Sequence, residues 1–189
     1  MIRRQISSVF LVILAGLILG VIVHIVTIFA IPRLATRNAY SRFGPPAGHN
    51  ALLYPSEAGR PALPEPDPAV AVAVCTFDVS NGPVVVHAKV DSGFASLSVH
   101  GRGGQVYYAV TDEAAVRGQM SLTLMTQAYF DDNISGTEEA SSDTLRYITP
   151  VTKGLVVMRA LAASPSQMPG AQRAAASLSC DREPTTAGE

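Results

Sequence analysis

Hydrophobic and polar positions follow different rules in successive stretches of the chain, and each rule predicts a different element. From Gln5 to Pro32 no charged residue interrupts an apolar run that includes Val9-Phe10-Leu11-Val12-Ile13-Leu14 and Ile28-Phe29-Ala30-Ile31. About 20 such residues in a helix cross the hydrocarbon core of a bilayer, so this run predicts one transmembrane helix. After Pro68 the period changes to two. Ala95, Leu97 and Val99 alternate with Ser96 and Ser98, and Met120, Leu122 and Leu124 alternate with Ser121 and Thr123. Alternation of this kind gives a strand one apolar face.

The predicted strands are Val70 to Asp78, Val84 to Val90, Phe94 to His100, Gln105 to Thr111, Met120 to Gln127, Thr144 to Thr149 and Leu155 to Leu161. Ser80-Asn81-Gly82-Pro83 and Gly101-Arg102-Gly103-Gly104 supply the positive φ that tight connections between successive strands require. The expected fold is therefore mainly β, an antiparallel β-sandwich or open barrel. A helix is expected to close it, starting at Ser164-Pro165 and running to Ser179, because Ser caps and Pro suits the first helical position.

Between these regimes, residues 33 to 68 carry seven Pro and three Gly. Each Pro removes a backbone donor and pushes its predecessor toward extended geometry, so neither a helix nor a central strand is expected there. The stretch reads either as a semi-rigid spacer whose final part favours polyproline II, holding the head tens of ångströms from the bilayer at about 3.1 Å per residue, or as a plain disordered tether. The expected organisation is an anchor over 1–32, a Pro-rich linker over 33–68, a β-rich head over 69–181 and a disordered tail over 182–189.

Arg3 and Arg4 precede the apolar run, and Arg33, Arg37 and Arg42 follow it. The run is far longer than the 7 to 15 residues of a signal-peptide core, which favours retention as an anchor over cleavage. The flanking charges nearly balance, so the positive-inside rule alone does not orient it. The short, charged N-terminal tail resists crossing, which favours N-terminus inside and head outside, a single-pass protein of a bacterial inner membrane with a periplasmic head. Within the run Gly16, Gly20 and His24 are spaced by four and share one helix face. Two Gly admit a close second helix and an imidazole can hydrogen-bond across the contact, so a homodimer through this helix competes with the plainer reading that Gly is common in such helices.

The net charge of -1 hides an asymmetry: residues 1–68 hold six Arg and three acids, and residues 69–189 hold eight Lys or Arg and twelve acids. An acidic head argues against nucleic acid, while the basic membrane end suits anionic headgroups. The string from Phe77 to Val86, FDVSNGPVVV, followed by a strand and then a hairpin ending in GQVYYAVTD at Asp112, resembles the core of domain-of-unknown-function (DUF) family 1254, particularly its short, single-span bacterial membrane proteins. The resemblance covers roughly residues 68 to 180. It implies a β-rich head with no assigned activity, and a partner chain carrying the companion domain that longer members contain. It transfers no catalytic residue.

Few residues suggest chemistry. Cys75 and Cys180 are the two cysteines, and they form either a bridge between the first strand and the chain beyond the last helix or two separate buried thiols. Asp131-Asp132-Asn133-Ile134-Ser135-Gly136 has the oxygen side chains and Gly of a calcium loop, but Ser142 stands where a bidentate Glu is required, so a solvated acidic hairpin loop is expected and no metal. Asn133-Ile134-Ser135 is a glycosylation sequon, relevant only in a eukaryotic secretory route. Gly101-Arg102-Gly103-Gly104 joins two strands and opens no helix, which excludes a dinucleotide loop; no cofactor is expected. His87, Asp91, His100 and Tyr108 are the polar residues able to line a pocket if the strands bring them together. The leading function is thus a non-enzymatic anchored head that binds a protein partner. The alternative is an envelope enzyme or small-ligand binder using those four residues.

Overall fold

The computed structural model describes residues 2–34, 38–43, 52–53, 67–90, 93–133 and 144–182. The chain divides into two units, 1–37 and 38–189. The first is one helix, α1 (Ile2–Leu34). Its stretch Val9–Pro32 has a mean hydropathy of 3.0 and no buried share. It is long and apolar enough to span a membrane with every main-chain group satisfied inside the helix. Thr27 hides its hydroxyl by donating to the Val23 carbonyl at 2.8 Å.

The second unit opens with α2 (Ala39–Phe43) and β1 (Leu52–Leu53), both inside the stretch expected to be a spacer. The expectation that no helix persists there is corrected. Both elements fall in gaps between prolines, and Asn38 caps α2: its Oδ1 accepts from the Ser41 N–H at 2.8 Å while Ser41 Oγ accepts from the Asn38 N–H at 3.0 Å. β1 lies at a sheet edge, where neighbouring prolines are tolerated.

The head then folds through β2 (Val70–Asp78), β3 (Val84–Lys89), β4 (Ala95–Gly101), β5 (Val106–Thr111), β6 (Gln119–Met125), α3 (Gln127–Asn133), β7 (Leu145–Ile148), β8 (Lys153–Leu161), α4 (Met168–Ala176) and β9 (Ser179–Arg182). Five strands form an antiparallel sheet in the order β1-β2-β8-β4-β5, and four form a mixed sheet in the order β7-β6-β3-β9. Alternation sends one side of each sheet into a shared buried cluster: Cys75, Phe77, Leu97 and Met158 from the first, Val84, Val86, Leu122 and Leu124 from the second. Ala171, Ala174 and Ala175 add one face of α4 to it.

β2 reads as a continuous apolar run because both its sides are covered. Its other side, with Leu155 and Val157 of β8, packs under Tyr40 of α2 in a second buried cluster containing Val74. The first side carries Phe77, paired across the ladder with Gly154. A Cβ on Gly154 would meet the His100 carbonyl and, at 2.7 Å, the Phe77 ring, so this strand position requires the missing side chain.

Several expectations are corrected here. β6 and β7 run parallel, so the sheets are not wholly antiparallel. The reason is the long connection between them: residues 126–144 include α3 and let the chain return to start in the same direction, where a hairpin would reverse it. Asp131, Asp132 and Asn133 consequently end a helix instead of forming a hairpin loop; Ile134 to Ser142 lie outside the described residues. Ser80 to Pro83 join β2 to β3, which belong to different sheets, so only Gly101 to Gly104 form a hairpin turn. The last helix stops at Ala176, and the chain re-enters the mixed sheet as β9 beside β3.

The two sheets are tied to each other in two places. On one side Cys75 of β2 is bonded to Cys180 of β9, with Cα atoms 6.3 Å apart. On the other, Tyr147 of β7 stacks on Tyr108 of β5 with centroids 4.6 Å apart, and its hydroxyl donates to the Tyr107 carbonyl at 3.1 Å.

An ion pair closes the β2–β8 ladder. Asp78 stands opposite Lys153, with Oδ2 3.0 Å from Nζ, and its Oδ1 accepts from the Ser80 N–H at 3.0 Å. Burial pushes the Asp78 carboxyl up, but the Ser80 hydrogen bonds and the Lys153 ammonium together outweigh it and hold the pKa down to about 2. Its folded value lies below its ordinary 3.8, so the stabilisation is complete above pH 4 and is lost as pH falls toward 2. Replacing Asp78→Asn is expected to cost on the order of 2 kcal/mol at pH 7 and little at pH 2, measured by urea denaturation at both pH values.

Candidate functional site

Polar residues of two adjacent strands meet on the side of the five-stranded sheet that faces away from the shared core. Because Ala95, Leu97 and Val99 of β4 point into that core, Ser96, Ser98 and His100 point the other way. β8 lies alongside, pairing Ser96 with Arg159, Ser98 with Val157 and His100 with Leu155. Ser98 Oγ is 2.8 Å from His100 Nε2, 3.4 Å from a terminal nitrogen of Arg159 and 3.3 Å from the Val157 carbonyl. His100 Nδ1 lies 3.5 Å from the carbonyl of Gly104, which the hairpin holds at φ +87°. In the same hairpin Arg102 places its guanidinium carbon 4.9 Å from the centre of the Tyr40 ring.

These contacts set the imidazole's charge state. Burial lowers the His100 pKa, the Gly104 carbonyl draws it partly back, and the Arg159 guanidinium lowers it again, leaving it below 6.5. With Nδ1–H donating to Gly104, neutral His100 presents Nε2 as an acceptor to the Ser98 hydroxyl. This is the spacing of a nucleophile and its base. Ser98 is only 6% exposed, however, and its oxygen is already engaged by Arg159, so an acyl substrate has no open approach to it.

The four residues considered as an alternative pocket are not brought together. His87 projects from β3 in the other sheet, with Nδ1 3.1 Å from Ser121 Oγ and 3.1 Å from Gln119 Nε2. Tyr108 packs against the shared core and stacks on Tyr147. His100 belongs to the Ser98–Arg159 cluster, and Asp91 lies outside the described residues. Among the described residues no group of three His, Cys, Asp or Glu side chains is placed to hold a metal. On α1, ideal side chains built at Gly16 or Gly20 would meet nothing within 4 Å, so the face they share with His24 is open.

The pattern Ser96-x-Ser98-x-His100 was visible as the polar half of an alternating strand, and its partners were not. Arg159 is the lone charge between Leu155 and Leu161, a signal that could have marked it. Arg102 and Tyr40 meet through folding, which no spacing in the sequence reveals.

No protein-family model and no curated protein matches the chain. Among solved structures, it is similar to the VPA0106 protein from Vibrio parahaemolyticus over 63% of this chain and 29% of that one, with TM-score 0.49 and 14% identity. An uncharacterized protein from Burkholderia cenocepacia matches over 63% and 30% of the two chains, with TM-score 0.40 and 10% identity. The chain thus spans under a third of the length of each of these two proteins.

Proposed function

We propose that the chain is a single-pass protein of a bacterial inner membrane, N-terminus inside, whose periplasmic head is a β-sandwich that binds a partner protein, the companion domain of DUF family 1254. The uncovered apolar stretch of α1 supports the anchor. The disulfide between the sheets supports an oxidising compartment for the head, since cytosolic thiols are kept reduced. Alternation of both sheets into one buried cluster supports the sandwich.

The observation that carries partner binding is the margin of β5. This strand ends its sheet and pairs on its outer side with no other described strand, and Val106 and Tyr107 there are 58% and 37% exposed. An exposed strand edge with apolar side chains accepts another chain through main-chain hydrogen bonds. The open space at Gly16 and Gly20, which share a helix face with His24, supports self-association of the anchor.

A photo-crosslinking residue placed at Val106 in the full chain, irradiated in native membranes, is expected to give a discrete adduct with a second protein. A companion-domain protein in that adduct supports the reading. A head that crosslinks only to itself, or to nothing, overturns it.

A further inference from the structure

We infer that residues 38–53 form a strap that clasps the head reversibly and sets how far the head reaches from the membrane, an inference that rests on reading α1 as the anchor. Two elements make up the strap. α2 lies on the outer side of the five-stranded sheet, where Tyr40 is buried against Val74, Leu155 and Val157, with Val72 packed beside them. Arg102 of the β4–β5 hairpin sits over the same ring, 4.9 Å from its centre. β1 then runs along the margin of β2, pairing Leu52 with Cys75 and Leu53 with Val74.

The fastening is small, and the sheet beneath is complete without it. A five-residue helix does not persist in water by itself, so α2 depends on the sheet it lies on; the Asn38–Ser41 cap shapes its first turn and adds no burial. Tyr40 is the strap side chain in that buried cluster. β1 adds a two-residue ladder, whereas β2 and β8 pair over nine positions. The shared core and the Cys75–Cys180 bridge lie on the opposite side of the sheet, so the strap can open while they stay closed. Opening changes the tether. With the strap seated, residues 35–37 alone separate Leu34, where α1 ends, from Asn38, and that length of chain reaches at most about 14 Å. With the strap released, residues 35–69 are all tether, which extends to about 100 Å. Covalent length thus gives the head a near and a far limit, with Tyr40 as the latch between them.

The test uses the full chain in lipid nanodiscs. Hydrogen exchange is expected to show protected amides at residues 41–43, and Tyr40→Ser is expected to speed their exchange about tenfold or more. β3 and β6 keep their protection in that variant, which shows that the head is still folded, and Tyr40→Phe, which retains the ring, keeps the strap closed. The reach is read by energy transfer from a dye on a residue placed at Gln105, in the hairpin that carries Arg102, to acceptor-labelled lipids. Transfer is expected to fall about twofold or more in Tyr40→Ser and to hold in Tyr40→Phe. Unprotected amides at 41–43 in the unaltered chain overturn the strap, and transfer that Tyr40→Ser leaves intact overturns its control of reach. A chain that does not stay in the nanodisc refutes the anchor reading instead, and the amide exchange then decides the strap by itself.

Discussion

Reduction of the Cys75–Cys180 bridge is expected to lower the melting temperature of the head by roughly 10 °C or more. The bridge joins residues separated by 105 positions, so in the unfolded chain it closes a very long loop. Loop-closure entropy at that length is on the order of 4 to 5 kcal/mol, of which native bridges commonly deliver about 2 to 4. Both sulfurs sit in the shared core, and the bond is the covalent link between the five-stranded and four-stranded sheets. Without it β9 is held to β3 by a four-residue ladder and to the core by the short α4 ahead of it. Near-UV tyrosine dichroism of the full chain, with and without reductant, follows the head without the helical signal of α1. Melting curves that coincide within a degree or two would sink this expectation.

Phe77→Ala is expected to cost about 3 to 5 kcal/mol, the largest effect of any single substitution in the head. The ring is fully buried, and the residue opposite it is Gly154, which has no side chain to fill the space an alanine would leave. Its neighbour His100 contributes backbone at that point, so relaxation into the void would have to move β4. Val106→Ala removes an apolar side chain that is 58% exposed and should stay within about 0.5 kcal/mol. Urea midpoints of the two variants give the comparison. A Phe77→Ala loss below about 1 kcal/mol would mean that the ring does not anchor the core as described.

The strands were legible where burial is one-sided or complete. Val70 to Asp78 was expected and observed with the same ends, since every position is apolar except buried Thr76 and Asp78 at the ladder's end. Alternation at β4 and β6 gave their inner faces correctly. What local pattern could not give was connectivity. Whether Ser80 to Pro83 turns back within a sheet or steps to another depends on which partner buries Val84 and Val86, a long-range choice. β9 was missed because Ser179-Cys180-Asp181-Arg182 has one apolar position, and α3 because Asp131-Asp132-Asn133 reads as a loop in isolation. α2 escaped notice among prolines because its stability comes from Tyr40 covering Val74, Leu155 and Val157, strand residues far away in sequence. The Ser98–His100–Arg159 cluster shared that fate: Ser98 and His100 are two residues apart, but Arg159 joins them only through the β4–β8 ladder.

The bridged core, and the proposal that the head is periplasmic, are tested most directly by the thiol state of the protein in native membranes. Membranes are treated with N-ethylmaleimide under denaturing conditions, with and without prior reduction, and the intact mass of the chain is measured. The expected result is no adduct before reduction and two after it. Two adducts without reductant would contradict the bridge between Cys75 and Cys180 and, with it, the periplasmic placement of the head.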